Sequence, residues 1–268
     1  MYDLHKFLSN FALLMKGNLT IDNGNTSIKV AFFIGAQIVA TNRFVRRDSR
    51  LLDRFISTYK PETAIICSTS SSAVSQRIEQ MVEQRCRRLL RLTHETPMPL
   101  RLGYRTPETL GRDRIATAVG AWSIAQRLDN ASDVLIIDAG TAITYDLVTA
   151  DGCFVGGNIA PGLSLRFKSL HEHTGLLPMV ESEGDTPMVG YDTKTAIRSG
   201  VLLGLLGEIK NYIADLRLSH PNLMVFITGG DGRLLHQRLA DESIIYFKHL
   251  AAEGLNHIYL YNQAYENQ

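Results

Sequence analysis

The sequence predicts an α/β protein made of two duplicated domains, and three observations carry that prediction. Three-strand hairpin patterns are followed by alternating helices and strands, which is the signature of stacked α/β layers. Each half opens on strand-like runs joined by tight turns rich in Gly, Asn and Asp. The segment "LTIDNGNTSIKVAFF", from Leu19, also lines up with "LIIDAGTAITYDLVT", from Leu135, with Asp22 falling on Asp138 and Gly24 on Gly140 at one constant spacing. A repeat of that length is a duplicated domain and not a solenoid. Two related halves facing one cleft is the simplest assembly.

In chain order, strands are expected at Asn18–Asp22, Ser27–Phe33 and Gln37–Phe44, the last two joined through Gly35-Ala36. A helix follows near Arg50–Tyr59, then the apolar run "TAIICST" from Thr63 to Thr69, a helix near Ala73–Arg87 and a short strand around Leu89–Thr93. A Pro/Gly-rich stretch, "ETPMPLRLGYRTPETLGRDR", leads into a long alanine-rich helix, Arg112–Leu128. The pattern then restarts in "DVLIIDAGTAITYDLVTADGCFVGG": a strand ending in Asp-x-Gly, a second strand, a turn at Asp151-Gly152 and a third strand. Helices near Ser164–His173 and Thr193–Arg217, the strand "LMVFITGG", a helix at Arg233–Leu239, a strand at Ile244–Phe247 and a C-terminal helix complete the chain. The resulting division is a leader (1–17), a first domain (18–115) and a second (116–268). The leader has one short apolar run, Phe11–Met15, and no small-residue cleavage site, which argues against secretion. An over-extended start codon ahead of Met15 explains it as well as a real helix does.

Composition excludes several classes. With 28 basic and 27 acidic residues, the chain of 268 has no global field to draw nucleic acid or an anionic membrane. The densest basic run, Arg85, Arg87, Arg88 and Arg91, reads as a solvated face. No segment approaches the length of a membrane span. Cys67, Cys86 and Cys153 are far apart and form neither a CxxC nor a Cys/His cluster, so a reducing cytoplasm fits and a zinc site does not.

Asp22 and Asp138 each close an apolar strand, where a carboxylate is costly to desolvate unless it meets a cation or hydrogen-bond donors. The glycine two residues later lets the backbone turn and expose its N–H groups, and the Asn and Thr side chains add neutral donors. Together they can hold a polyphosphate and its magnesium without a P-loop. A single Asp-x-Gly-Asn-Thr is better read as an ordinary Asx turn, but two copies at equivalent points of a duplicated fold reverse that preference and favour the phosphate. Lys29 either reaches a phosphate as a point charge or faces solvent. P-loop and Rossmann readings fail, because neither motif is present in its required context. The stretch from Gly156 to Gly162 is expected to be a close-approach loop whose glycines admit a ligand or the opposite domain.

In "YRTPETLGRDRIATAVGAW", Thr109 or Gly111 can begin the long helix, which places Asp113 and Arg114 in its first turn. Asp113 either complements the helix dipole, with Arg114 as its surface partner, or accepts a proton from a substrate hydroxyl beside an Arg114 anion clamp. Tyr104 is a half-buried aromatic unless its loop lines a pocket, and Thr193 is the expected N-cap of its helix. "ITGGDGRLL" suits backbone contact with a base or ribose, or is a tight βα turn. His171 and His173, two apart, do not share a helix face for metal ligation.

Taken together, Asp22-x-Gly-Asn-Thr-x-x-Lys29, Gly111-Arg112-Asp113-Arg114, Asp138-x-Gly-Thr-Ala-x-Thr and Gly156-Gly157-x-Ile-x-Pro161-Gly162 resemble type III pantothenate kinases, within the acetate kinase, sugar kinase, Hsp70 and actin superfamily. The resemblance runs from about Asn18 to the C-terminus. It implies two ribonuclease H-like domains of the actin-like ATPase fold and ATP-dependent phosphorylation of pantothenate to 4′-phosphopantothenate, the first step of coenzyme A synthesis. It further implies Mg²⁺ with ATP, a monovalent cation (K⁺ or NH₄⁺), a homodimer, and pantothenate and ATP as the small-molecule partners. By motif, Asp22, Asn23, Gly24, Asn25, Thr26, Ser27, Ile28, Lys29 and Thr141 correspond to ATP-phosphate contacts, and Asp138 to the ligand of the monovalent ion. Asp113 corresponds to the catalytic base, and Tyr104, Gly111, Arg112, Asp113, Arg114 and Thr193 to pantothenate contacts. Asn23 departs from the aliphatic residue usual there, and the first fourteen residues have no counterpart.

Three alternatives stand beside this reading. Another superfamily enzyme, such as a sugar kinase or exopolyphosphatase, shares the Asp22 and Asp138 loops but not Gly-Arg-Asp-Arg. A non-catalytic transcriptional accessory relative need not keep Asp22, Asp113 and Asp138 together. An actin-like filament protein needs larger interface insertions than this chain has.

Overall fold

Six consecutive buried residues make β1 (Asn18–Asn23) the centre of the first sheet, because a strand with neighbours on both sides and layers on both faces has no solvent side. The computed structural model describes residues 17–24, 26–45, 49–69, 73–129 and 131–266. Asn25 and the leader up to residue 16 lie outside them. β1 runs antiparallel to β2 (Ser27–Ile34), which pairs with β3 (Gln37–Val45) across the left-handed Gly35 turn, and parallel to β4 (Thr63–Ser68). With β5 (Arg88–Arg91) parallel to β4, the order is β3-β2-β1-β4-β5. Helices α1 (Ser49–Tyr59) and α2 (Ala73–Arg85) supply the crossovers. Leu19, Ile21, Phe32, Leu52, Ile66 and Ile78 form the heart of this core.

The short strand expected at Leu89–Thr93 forms slightly earlier. Cys86 N–H still closes on Val82, but Arg87 N–H turns to the carbonyl of Glu62, which pulls the chain out of the helix and into β5. The basic run there is a solvated face, with Arg85, Arg87, Arg88 and Arg91 meeting Asp53, Glu62, Glu266 and the Glu79/Glu83 pair respectively. Exposed pairs of this kind contribute about 0–1 kcal/mol each.

After a short strand β6 (Arg101–Leu102) and a 3₁₀ turn at Pro107–Thr109, the alanine-rich α3 spans Arg112–Leu128 as its composition predicts. The duplication then becomes visible. β7 (Val134–Ala139), β8 (Ala142–Val148) and β9 (Cys153–Pro161) form an antiparallel meander, and β10 (Met224–Thr228) and β11 (Ile244–Tyr246) add in parallel, so these five strands run β11-β10-β7-β8-β9 within their sheet. That is the order of the first sheet repeated. Helices α4 (Leu163–Glu172), α5 (Thr193–Ser219) and α6 (Gly232–Leu239) pack around it, over a core that includes Ile137, Ile143, Leu205, Ile209, Val225 and Ile227.

Two local expectations are corrected. The Gly156–Gly162 stretch is strand through Pro161, not loop, and its glycines admit neighbouring backbone. A Cβ on Gly157 would sit 2.2 Å from the Tyr145 carbonyl oxygen, and one on Gly162 2.1 Å from that of Gly140. Thr193 is not the N-cap of α5. Asp192 is, accepting from Thr195 N–H at 2.8 Å while the Thr195 hydroxyl accepts from Asp192 N–H at 3.1 Å, a reciprocal capping box.

The chain divides into two compact units: the described residues through Ser123 with those from His249 onward, and Ile124–Lys248. The final helix, α7 (Leu250–Glu266), therefore belongs with the first sheet, where it packs on β1, β2 and β4. Two buried asparagines register it: Asn18 Nδ2 donates to Asn256 Oδ1 at 3.0 Å, and Asn256 Nδ2 donates to the Gly35 carbonyl at 2.9 Å. α7 in turn meets α3 with almost no side chain between them. A Cβ on Gly254 would lie 1.8 Å from the Ala116 carbonyl oxygen, and one on Gly120 2.4 Å from that of Leu250.

Gly254→Ala is therefore expected to destabilise the protein by about 1–3 kcal/mol in urea unfolding, since backbone atoms have to separate. Gly204→Ala, on an exposed turn of α5 with open space at its Cβ, is the control and is expected to be neutral or stabilising by up to about 1 kcal/mol.

Candidate active site

The register of the first sheet puts Arg43, Lys29, Asp22 and Cys67 in one cross-strand row on β3, β2, β1 and β4, so their side chains share a face. Asp22 is buried, and each of its oxygens has a partner. Oδ2 accepts from Lys29 Nζ at 3.0 Å, and the Cys67 thiol donates to Oδ1 with Sγ 3.7 Å away. Burial first, then the charges of Asp22 and Asp113, push the Cys67 thiol well above its ordinary range, so it stays protonated and remains a donor. Of the two roles the sequence leaves open for Lys29, the half-exposed ammonium takes neither outright, because it is held on Asp22.

Beyond Asp22 the chain turns through a tight hairpin closed by Gly24 N–H on the Ser27 carbonyl at 3.1 Å. Asn23, fully buried, fills its unusual place by donating from Nδ2 to Ser68 Oγ at 3.2 Å and Ser75 Oγ at 3.0 Å, which ties β1 to β4 and the start of α2.

Asp113 lies in the first turn of α3, two residues after Gly111, and the order of those residues has a steric reason. A Cβ on Gly111 would lie 2.6 Å from Asp113 Oδ1, so only glycine leaves the carboxylate where it stands. That oxygen accepts from Arg114 N–H at 2.9 Å. Burial and then the Asp22 charge raise the Asp113 pKa above the ordinary carboxylate value, opposed by the backbone hydrogen bonds and by Lys29. A raised pKa beside a second carboxylate is a setting in which proton-accepting carboxylates are commonly found. Arg114 is not a surface partner. It is only 6% exposed and stacks over Tyr104, Cζ 5.7 Å from the ring centroid. The first unit thus brings together Asp22, Lys29, Asp113, Arg114 and Tyr104 as the sequence anticipates, and adds Cys67 and Arg43, which it does not.

In the second unit, Asp138 stands on β7 in register with Thr144 on β8 and Thr228 on β10. The Thr144 hydroxyl oxygen is buried with no hydrogen-bond partner among the described residues. An orphaned oxygen opposite a carboxylate fits a bound cation. Thr141 is exposed at the tip of the β7–β8 turn, its carbonyl accepting from Gly162 N–H at 3.0 Å. The "ITGGDG" turn closes over the same strand end: Gly229 has φ +94 and packs on Ala139, whose carbonyl accepts from Asp231 N–H at 2.9 Å. Thr193 is exposed in the first turn of α5.

The sequence profile described as "Type III pantothenate kinase" matches residues 18–215. The chain belongs to the type III pantothenate kinase family. Relatives carrying that name include one from Phocaeicola vulgatus, 41% identical over 91% of this chain and 98% of its own length. Another, from Porphyromonas gingivalis, is 39% identical over 92% and 100%. Among solved structures, a protein described as a Baf family transcriptional activator from Campylobacter jejuni superposes with a TM-score of 0.61 at 21% identity, over 92% of this chain and 99% of the other. A glucokinase from an Antarctic psychrotroph gives 0.50 at 12%, over 92% and 99%. At those identities the likeness is one of fold, the actin-like ATPase and sugar-kinase architecture.

The raised Asp113 pKa has a consequence for stability. A carboxyl favoured in its neutral form when folded contributes stability below its unfolded pKa and loses it as pH rises through the folded one. Asp113→Asn is expected to melt a few degrees above the parent at pH 7 and to lose that advantage near pH 4, as scanning calorimetry across pH will register.

Proposed function

We propose that this protein transfers the γ-phosphoryl group of ATP to the primary hydroxyl of pantothenate, releasing 4′-phosphopantothenate and ADP. This is the first step of coenzyme A synthesis. Family membership supports the reading, and the observation that carries it is the Asp113 carboxylate: given room by Gly111, raised in pKa by burial, and set beside the Asp22 hairpin of its own unit. Phosphoryl transfer asks for in-line positioning, charge stabilisation and one base aimed at the hydroxyl.

Asp113 takes the hydroxyl proton as the oxygen attacks. Asp22, Asn23, Gly24, Asn25, Thr26, Ser27, Ile28 and Lys29 with Thr141 form the ATP-phosphate segment, contributing backbone N–H groups and hydroxyls while the Lys29 ammonium stays on Asp22. Tyr104, Gly111, Arg112, Arg114 and Thr193 hold pantothenate, whose carboxylate matches a buried guanidinium braced on an aromatic ring. Among the described residues no group of three or more His, Cys, Asp or Glu could cage a metal, so Mg²⁺ would arrive with the nucleotide. When bound, it neutralises charge that builds on the transferring phosphate. Asp138 and the Thr144 hydroxyl would hold the K⁺ or NH₄⁺ ion.

The working form is a homodimer in the cytoplasm. Leu176, Met188, Val189 and Tyr191, each 70% or more exposed in the second unit, are apolar surface that a second copy would cover. No helix among the described residues is long and apolar enough to cross a membrane, and all three cysteines are free.

A coupled ADP-release assay tests the reading. The parent enzyme should turn over with pantothenate and not glucose, and K⁺ should stimulate it. Asp113→Asn should fold and lose at least about 100-fold in kcat, and Asp138→Asn should lose the K⁺ response. Turnover on glucose alone, or on neither acceptor, overturns it. Light scattering should give the mass of two chains.

A further inference from the structure

We infer that Arg43 is the cation that grips the ATP phosphates at the Gly24–Ser27 hairpin, while Lys29 is given over to holding Asp22; this rests on the hairpin being the phosphate site proposed above. Nothing in the motif points to Arg43, which lies on β3, outside Asp22–Lys29. The register brings it there. β2 and β3 pair with Lys29 opposite Arg43, because an irregularity between Phe32 and Phe33 shifts the ladder by one residue. Without that shift Arg43 would face the other side of the sheet, since a single-residue slip inverts every side chain beyond it.

Three observations make Arg43 an anion site and not a solvated arginine. Its Nε donates to the Oγ of Ser27 at 3.0 Å, and Ser27 is buried, so the guanidinium plane is fixed at one end by the hairpin itself. Its two terminal Nη groups have no partner among the described residues, and the side chain is exposed. That leaves the outer edge of the fork, the pair of N–H groups suited to two phosphate oxygens, pointing away from its anchor. The neighbouring Lys29 ammonium lies 3.0 Å from Asp22 Oδ2, so that pair brings little net charge to a polyanion. Among the described residues, Arg43 is the cation in this row with no carboxylate on it.

Titration calorimetry of the intact protein with AMP, ADP and ATP in Mg²⁺ tests the assignment. Arg43→Gln should bind ATP about tenfold or more weakly and ADP less affected, with AMP and the pantothenate KM unchanged and the melting temperature held. Arg43→Lys, which keeps the charge without the fork, should recover part of the loss. Parent-like ATP affinity in Arg43→Gln overturns the inference. So does an equal loss for AMP, which would mean a structural role, or a parent protein that binds no ATP. If Arg43→Gln weakens ATP as expected but the parent does not phosphorylate pantothenate, the acceptor is wrong and the phosphate assignment stands.

Discussion

The first unit depends on the crossing of α3 and α7, where the two helix backbones touch because Gly120 and Gly254 carry no side chain to separate them. α7 is itself fixed on the sheet by the buried Asn18–Asn256 pair and by its packing on β1 and β4. The distance from the β1 strand end to the first turn of α3 is therefore set by backbone contacts and a buried hydrogen bond, which are stiffer than packing between long side chains. Asp22 sits at one end of this chain of contacts and Asp113 at the other.

This rigidity explains how two carboxylates can be placed near one another at tolerable cost. Asp22 is satisfied by an ammonium and a thiol, so its charge is compensated. Among the described residues Asp113 has only backbone donors, and burial followed by the Asp22 charge leaves its pKa raised. Two carboxylates with partners so different can take different roles within one site. The neutral Cys67 thiol between strands adds a weak donor without a third charge.

Much of this was legible in the residues, for identifiable reasons. The duplicated Asp-x-Gly runs announced two sheets of like order because strand periodicity and turn chemistry are local. α3 was found at its observed bounds because an alanine-rich run following a Gly-Pro loop has few other solutions. The glycines of β9 read in sequence as close-approach residues of a loop, since sequence does not say whether the approaching atoms belong to a ligand or to the next strand. The cap of α5 is ambiguous in sequence because Asp192 and Thr193 are both good caps, and only the reciprocal bond to Thr195 decides for Asp192. Cys67 and Arg43 were invisible for a deeper reason: one is brought in by a parallel pairing over a long separation, the other by a register shift with no sequence mark.

The geometry makes the Gly-Arg-Asp-Arg run mechanical as well as chemical: glycine first, so that the carboxylate two residues later can occupy the space a methyl group would take. Steady-state kinetics of Gly111→Ala therefore test the placement of the proposed base most directly, because the added carbon would displace Asp113 Oδ1 and leave every titratable group in the protein. With ATP KM and the melting temperature unchanged, kcat for pantothenate phosphorylation should fall about 100-fold, the usual cost of a base moved by an ångström. A Gly111→Ala enzyme that turns over at the parent rate would contradict it.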